Sequence, residues 1–240
     1  MSSLEASRSV RVFLAVPIPL GDGGRMKDAI AILSTEEIAR ADRFRFDADR
    51  NRFITGRALV RHALSRFANV EPADWRFTTN GFGRPQIAGP AGFHHLKFSA
   101  SRTDGLAMCA VTRGREIGAD LERLREYPAG VAERYFSRNE ARAIRQGAHE
   151  ERAFLFFANW TLKEAYCKAK GVGLSIPIAK VSFSFVNEQP SMAIEPPLED
   201  DSARWRFCLL RPTPEHVAAL CIDVRQQPPA GIEIDDSLAL

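Results

Sequence analysis

The 240-residue sequence lacks the long apolar segments that mark membrane proteins. No apolar run approaches the ~20 residues that a transmembrane helix requires. The short apolar stretch near the N-terminus is interrupted by Pro17 and Pro19, and no small-residue cleavage site follows it. We therefore predict neither a membrane contact nor a signal peptide, and we assign Val10–Val16 to a first β-strand.

Cysteine is scarce, and several catalytic signatures are missing. The four cysteines lie far apart and form no CxxC pair, so neither a zinc site nor a dense disulfide framework is predicted, and a reducing cytoplasm is the expected location. The five histidines show no HExxH spacing, no GxSxG stands near a strand end, and the glycines of "TTNGFGRPQI" do not form GxGxxG. The histidines therefore indicate no metal site or catalytic motif in this sequence.

Arginine, in contrast, is concentrated in one segment. Between Arg40 and Arg66 there are eight arginines against three aspartates, although the net charge of the whole chain is only +3. This local surplus predicts an anionic partner. For most of these arginines the simpler interpretation is a solvated flank beside the buried stripe of a helix over Asp49–Ala68, because arginine is rarely buried.

The order strand, helices, strands occurs twice, before and after residue 115. In the first half, a capping box predicts that a helix begins at Ser34, with Glu37 as its third residue, and Leu106–Thr112 is a strand. In the second half, Ile117–Leu121 is a strand and Glu150–Lys170 the longest helix. Gly171 ends this helix, later strands follow, and the tail after Gln226 is expected to fray.

This organisation predicts an α+β fold of two similar α/β halves related by a pseudo-twofold axis. We place the halves at 1–115 and 116–240, with the active site in the cleft between them. At 240 residues the chain is long enough for two such halves of roughly 100–120 residues each. No clear sequence repeat links them.

The segment "IGADLERL" carries two acids, Asp120 and Glu122, two residues apart. On a strand such residues project to the same side at roughly 6.5–7 Å, so they can jointly face one cation. The alternative is an exposed strand end with ordinary surface acids beside Arg123 and Arg125, and the strand alone favours that alternative.

The helix "NWTLKEAYCKAKGVGLS" adds a third acid. At 100° per residue Trp160, Glu164 and Lys168 share one face, and the opposite face is apolar. The alternative is an exposed Glu–Lys pair one turn apart, worth only about 0.2–0.5 kcal/mol. Three carboxylates without nearby histidine or cysteine suit Mg²⁺ before Ca²⁺, and the surrounding cations suit phosphate. Together they predict chemistry on a phosphate-bearing substrate.

Five segments give the chain a family resemblance. Their order and spacing are "GRALVR" (56–61), "GRP" (83–85), "FSAS" (98–101), "GADLE" (118–122) and "WTLKEAYCKAKGVGLS" (160–175). In this series the chain resembles the surfactin-type 4′-phosphopantetheinyl transferases, from about Val10 to Val186. The W-x-x-K-E-A-x-x-K helix some forty residues after G-x-D-x-E is the specific part; "GRP" alone means nothing.

The resemblance implies a reaction and a metal site. Asp120, Glu122 and Glu164 match the acids that gather around Mg²⁺ and the pyrophosphate of coenzyme A, the co-substrate. A serine of an acyl- or peptidyl-carrier protein attacks the β-phosphate, 4′-phosphopantetheine is transferred, and adenosine 3′,5′-bisphosphate leaves. Glu164 matches the general base and Lys168 the second catalytic residue.

The resemblance also implies which residues bind coenzyme A. Arg52, Arg84 and Lys168 match positions that contact its phosphates, which explains the basic segment better than nucleic acid does. Trp160 and Lys163 match residues that fix the helix.

One motif departs from the family pattern. The family's Asn-x-Ser-His stands here as "SASR", so Ser99 replaces the asparagine and Arg102 the histidine, while Ser101 is retained. Because arginine is a permanent cation, we expect altered pH dependence rather than lost coenzyme A binding at Ser101 and Arg102.

The predicted protein is thus a monomeric, cytoplasmic, Mg²⁺-dependent transferase with a carrier protein as its partner. Two alternatives remain open: a catalytically inactive protein that binds coenzyme A or a carrier protein, and a metal-dependent phosphohydrolase. The intact set of acids argues against the first. The lack of a water-activating histidine or of further metal carboxylates weighs mildly against the second.

Overall fold

The computed structural model describes residues 9–186, 189–225, 229 and 231–236. It divides the chain into two compact units. The first unit comprises the described parts of 1–81, 85–115 and 229–240, and the second comprises 82–84 and the described parts of 116–228. The chain thus passes from the first unit to the second after residue 115. There are two exceptions: 82–84 belong to the second unit, and the strand near the C-terminus belongs to the first.

The first unit is built on a four-stranded sheet covered by one long helix. The strand order is β11 (Ile232–Asp235), β1 (Val10–Ala15), β5 (Leu106–Arg113) and β4 (Leu96–Thr103). β1 pairs antiparallel with β5 and parallel with β11, and β4 pairs antiparallel with β5. Helix α3 (Asp47–Ser65) packs on β1, β4 and β5.

The predicted apolar stripe of α3 is the inner face of that helix. Phe53, Val60 and Leu64 are buried, and Phe67, just beyond the helix, packs against the core. The helices α1 (Gly23–Ala31) and α2 (Thr35–Ala41) precede α3, and a short hairpin of β2 (Arg76–Thr79) and β3 (Pro85–Gly89) follows it. The predicted capping box of α2 is present.

The expectation of solvated arginines fails at Arg61, whose side chain is 1% exposed. Its guanidinium donates hydrogen bonds to Glu37 and to the carbonyl oxygens of Pro72, Ala73 and Trp75. Arginine is buried here because its donors find acceptors, which the spacing of arginines along a helix cannot reveal.

The second unit places one long helix against a three-stranded antiparallel sheet. The strand order is β6 (Ile117–Arg123), β10 (His216–Asp223) and β9 (Trp205–Thr213), and helix α6 (His149–Lys170) packs on β6 and β10. Further elements are β7 (Val181–Val186) and β8 (Gln189–Ile194), which form a hairpin, and the helices α4 (Val131–Tyr135) and α5 (Arg138–Gln146). Each unit contains helices packed on a β-sheet, which confirms the predicted α+β fold class.

Helix α6 has the start and the stop that the sequence indicates. It begins at His149, one residue before the predicted Glu150, and ends at Lys170. Gly171 follows with φ of 70°, a left-handed conformation that glycine adopts without steric cost, and its N–H donates to the carbonyl oxygen of Cys167.

The prediction that the chain frays after Gln226 is wrong for Ile232–Asp235. These residues form β11, in parallel register with β1 from Val10 opposite Ile232 to Phe13 opposite Asp235. Without β11, β1 would be the edge of the sheet with unpaired backbone groups, and β11 satisfies them. The other residues of the tail lie mostly outside the described part of the chain. Among the described residues no helix is long and apolar enough to cross a membrane.

Candidate active site

A glycine allows β6 and α6 to approach each other closely. A Cβ atom on Gly118 would lie 1.8 Å from the carbonyl oxygen of Ala165 and 2.5 Å from the backbone nitrogen of Ala169. No side chain fits between the two backbones at this point. Because side chains alternate along a strand, Asp120 and Glu122 project from the same face of β6 as Gly118, toward α6.

Asp120 is buried, and its partner comes from α6. Lys168 Nζ donates hydrogen bonds to Asp120 Oδ1 at 2.6 Å and to the carbonyl oxygen of Ala119 at 3.1 Å. The Lys168 side chain remains 30% exposed, whereas that of Asp120 is 7% exposed. Solvent therefore reaches the lysine of this ion pair but hardly reaches the carboxylate.

Glu122 has a different cationic partner. β6 continues to Arg123, so Glu122 belongs to the strand rather than following it. Arg125 Nη1 donates to Glu122 Oε2 at 2.8 Å. The pKa of Glu122 is raised above its ordinary value. Burial is the largest cause, the hydrogen bond from Arg125 lowers the pKa, and the negative charge of Asp120 raises it.

Glu164 lies half-buried on the face of α6 that meets these acids. Burial raises its pKa first, the charge of Asp120 raises it further, Lys168 lowers it, and Glu122 raises it. The three predicted acids thus interact electrostatically from two elements. A carboxylate whose pKa is raised in this way accepts a proton more readily than an ordinary one.

The chemistry of these residues fits a hard divalent cation. All three donors are carboxylates, and the charge of Asp120 destabilises the ionised forms of both Glu122 and Glu164, a repulsion that a cation would remove. Within the described part of the chain, no group of three or more His, Cys, Asp or Glu side chains is already arranged to hold a metal ion. Lys168 and Arg125 instead supply positive charge to two of the acids.

Arg84 belongs to the same unit as these acids. Its guanidinium forms an ion pair with Glu116 at 2.7 Å and donates to the carbonyl oxygens of Ala169 and Ile117 at 3.0 and 3.2 Å. The contact with Ala169 places a cation at the C-terminal end of α6, where the helix dipole is negative. Arg84 therefore links β6 to the last turn of α6.

The residues next to Glu164 in sequence are fixed inside the unit. Lys163 Nζ lies 3.0 Å from Glu140 Oε2 and also donates to the carbonyl oxygens of Ile178 and Val181. Trp160 packs edge-on against Tyr135 of α4 with ring centres 5.7 Å apart. These contacts hold α6 in one rotation about its axis.

The opposite face of α6 is apolar and buried, as predicted. Its four residues are completely or almost completely inaccessible: Leu162, Ala165, Tyr166 and Ala169.

The predicted coenzyme A residues Arg52, Ser101 and Arg102 all belong to the first unit. Arg102 lies over the ring of Phe53 at 5.3 Å, and Arg40 lies over the same ring at 5.4 Å. Arg52 forms ion pairs with two nearby aspartates. Ser101 and Arg102 are consecutive residues near the end of β4.

Several arginines surround Arg102 with like charge. Its pKa is lowered first by burial of the guanidinium and then by the charges of Arg40, Arg57 and Arg52. Arginine remains protonated under this influence because its ordinary pKa is so high. An anion bound here would relieve the mutual repulsion, which is the property expected of a phosphate site.

Two residues that the sequence did not single out contribute to the arrangement. Glu140 is the buried partner of Lys163, and Arg125 is the partner of Glu122. The capping-box sequence "SRNE" marks Glu140 as a helix start, and the spacing of three residues allows the Arg125 contact. The capping box does not show that Glu140 would meet Lys163 of α6, and the spacing does not show that Arg125 would pair with Glu122.

Two protein-family profiles match the chain. One, described as the 4′-phosphopantetheinyl transferase superfamily, matches residues 116–221, and the other, 4′-phosphopantetheinyl transferase, N-terminal, matches 23–113.

Individual relatives match across both units. The chain is 35% identical over 200 residues to the 4′-phosphopantetheinyl transferase HetI of Nostoc sp., covering 82% of this chain and 81% of HetI. It is 29% identical over 168 residues to the 4′-phosphopantetheinyl transferase Sfp of Bacillus subtilis, covering 70% and 73%. It is 30% identical over 211 residues to a phosphopantetheinyl transferase of Thraustochytrium sp., covering 80% and 70%.

Proposed function

Because the chain belongs to the surfactin-type 4′-phosphopantetheinyl transferases, an enzyme family that modifies carrier proteins, we propose that it takes phosphopantetheine from coenzyme A. In the proposed reaction a serine hydroxyl of an acyl- or peptidyl-carrier protein attacks the β-phosphate. The serine oxygen forms a bond to phosphorus, the bond from that phosphorus to the bridging pyrophosphate oxygen breaks, and adenosine 3′,5′-bisphosphate leaves.

The observation that carries this proposal is the position of Glu164 among the other acids. Its half-buried carboxylate lies on the face of α6 that meets Asp120 and Glu122, and we assign to it the proton of the serine hydroxyl. Lys163 meets Glu140 of α5 and Trp160 meets Tyr135 of α4, and these contacts keep α6 from rotating, so the Glu164 carboxylate stays on the face that meets Asp120 and Glu122. Lys168 supplies a positive charge for the phosphate oxygens.

Asp120, Glu122 and Glu164 are the proposed ligands of Mg²⁺. When bound, Mg²⁺ neutralises negative charge on the phosphate oxygens and thereby lowers the barrier to attack. The carboxylate chemistry supports this assignment, since hard oxygen donors suit Mg²⁺.

For the other end of coenzyme A we propose contacts with Arg52, Ser101 and Arg102. Arg84 adds positive charge beside the last turn of α6, and we assign it to a phosphate as well. The crowding of cations around Arg102 supports an anionic ligand in the first unit. Because Arg102 is a permanent cation, phosphate binding there should not weaken as the pH rises through the range in which a histidine loses its charge.

We further propose that the enzyme acts as a single chain in the cytoplasm and that it binds no nucleic acid. The cysteines support a reducing location, because all four are free thiols and three of them are buried. The basic segment of the first unit is assigned to coenzyme A phosphates.

Intact mass spectrometry of carrier proteins tests the proposed reaction. An apo acyl-carrier protein and an apo peptidyl-carrier protein are each incubated with this protein, coenzyme A and Mg²⁺, and in parallel with EDTA. A metal-dependent mass gain of one phosphopantetheine is expected on at least one carrier. Failure on both carriers, with coenzyme A binding demonstrated by calorimetry, would contradict the proposed donor reaction and favour a non-catalytic binding protein.

A further inference from the structure

Arg125 is held against Glu122 by more than the ion pair. Its Nη1 donates to Glu122 Oε2 at 2.8 Å and to the backbone carbonyl oxygen of Arg123 at 2.9 Å. Its guanidinium carbon lies 4.7 Å from the centre of the Phe157 ring. Three different contacts therefore fix a side chain that is 52% exposed.

The Phe157 ring makes this pair different from an ordinary surface ion pair. Exposed pairs usually contribute little, because two long side chains lose their freedom for a weak attraction in water. Here the ring is 2% exposed and packed in the core of the second unit, so it offers a rigid platform for the guanidinium. The Phe157 ring is already fixed by core packing, so it holds the guanidinium beside Glu122 without losing freedom of its own when the contact forms.

The position of Arg125 conflicts with a cation at Glu122. Arg125 uses Oε2 as its acceptor, and its positive charge would lie next to a divalent cation on the same carboxylate. At such a short range like charges repel strongly, even with partial solvent screening. The two cations therefore exclude each other to a large extent.

We propose that Arg125 is an internal counter-ion that competes with the divalent cation for Glu122, so that metal loading exchanges one partner for the other. This inference rests on the proposed metal site. Arg125 acts on the metal through Glu122 and is a positioning residue, with no contact to the reacting atoms. In the metal-free protein its charge compensates a partly buried carboxylate, which would otherwise be repelled by Asp120.

The chain provides a matched control in Arg123. It is the same residue type and lies two positions before Arg125. By strand alternation its side chain projects from the face of β6 opposite Glu122, and it pairs with Glu215 at 3.0 Å. The variants Arg125→Gln and Arg123→Gln remove the same charge from the protein. A difference between them therefore reports the contact with Glu122 rather than net charge.

Calorimetric titration of Mg²⁺ into the metal-free full chain tests the proposal without any turnover. The Arg125→Gln variant should bind Mg²⁺ about threefold to tenfold more tightly than the wild type, the range expected for losing one competing ion pair. Arg123→Gln should stay within about twofold of the wild type, as screened surface charges do. Arg125→Lys, which keeps the charge but loses the planar stack on Phe157, should fall between wild type and Arg125→Gln.

The Glu122→Gln variant separates failure of this inference from failure of the metal site. If the wild type binds Mg²⁺, Glu122→Gln weakens it, and Arg125→Gln binds no more tightly than Arg123→Gln, the counter-ion role is overturned and the metal site stands. If the wild type shows no saturable binding, or Glu122→Gln binds as the wild type does, both are overturned. Equal denaturation midpoints for the Arg125 and Arg123 variants confirm that each is folded.

Discussion

Two lysines on α6 show how one helix serves both structure and chemistry. The Lys163 side chain is 2% exposed, and its ammonium meets Glu140 and the carbonyl oxygens of Ile178 and Val181. The Lys168 side chain is 30% exposed and meets Asp120 and one carbonyl oxygen. The first ammonium thus has three acceptors inside the protein, which is all that its three protons can use.

The number of fixed partners separates the roles of the two lysine–carboxylate pairs. The Lys163–Glu140 pair gains from staying together, since separating it would leave a buried charge without compensation. Lys168 and Asp120 meet where solvent reaches the lysine, so water or another cation can replace the ammonium, although Asp120 itself is buried. A helix that must present Glu164 in a fixed direction benefits from having the rigid pair directly beside that residue.

The largest expected effect comes from disturbing the close approach of β6 and α6 at Gly118. In Gly118→Ala the new methyl group would collide with the backbone at Ala165 and Ala169, and backbone cannot move aside as a flexible side chain can. We expect a loss of unfolding free energy of at least ~4 kcal/mol, measured by urea denaturation.

Gly23→Ala is the control for this change, because a Cβ atom there meets nothing within 4 Å. Its stability should remain within about 0.5 kcal/mol of the wild type. A Gly118→Ala protein within about 1 kcal/mol of the wild type would show that β6 and α6 can separate without cost.

Removing the charge of Lys163 is expected to have the next largest effect. In Lys163→Met the Glu140 carboxylate keeps its burial but loses its cation, so the free energy of unfolding should fall by about 3–5 kcal/mol. Urea denaturation measures this loss. Adding Glu140→Gln should recover part of it, because the uncompensated charge is then gone.

Lys168→Met is the matched variant at the more exposed lysine. Asp120 is buried as Glu140 is, but solvent reaches the lysine side of this pair, so the loss of stability in the same assay should be smaller than that of Lys163→Met. Equal losses for the two lysine variants would contradict the distinction between a fixed and an exchangeable pair.

A smaller effect is expected in the pH dependence of stability. Burial and the neighbouring acids raise the pKa of Glu164 above that of an unfolded chain, about 4.3. The folded protein then binds this proton more tightly, so the contribution of Glu164 to stability is complete below about pH 4 and is lost as the pH rises through the raised pKa.

Glu164→Gln removes this loss. In EDTA the variant should be more stable than the wild type at neutral pH, and the difference should vanish as the pH approaches about 4. Urea midpoints across this range measure it, with the exposed Glu151→Gln on the same helix as a variant that should follow the wild type. A Glu164→Gln protein less stable than the wild type at neutral pH would show that the ionised carboxylate has a stabilising partner.

Much of the second unit could be predicted from local patterns. The alternation of β6 predicts that Asp120 and Glu122 share one face of the strand, and the 3.6-residue period of α6 with its glycine stop predicts that Glu164 lies on the polar face of the helix. These features arise from neighbours in sequence, which is where pattern analysis is strong. That the three acids meet is what the family resemblance implies.

The partners that set the charges could not be predicted in the same way. Glu140 meets Lys163 across elements, and Arg61 is buried because carbonyl oxygens of a distant turn accept its hydrogen bonds. The strand at Ile232–Asp235 pairs with β1, which is separated from it by almost the entire chain. Each of these contacts depends on packing between segments that no local period reports.

The proposed reaction requires that Glu164 remove the proton of the carrier serine. The most direct test is the transfer rate, followed by intact mass spectrometry of the carrier protein at saturating coenzyme A and Mg²⁺, for Glu164→Gln and for the control Glu151→Gln. We expect Glu164→Gln to lose about 100-fold or more of the rate, as loss of a general base does, while Glu151→Gln keeps the wild-type rate. A Glu164→Gln enzyme that transfers phosphopantetheine at the rate of the control would contradict the claim.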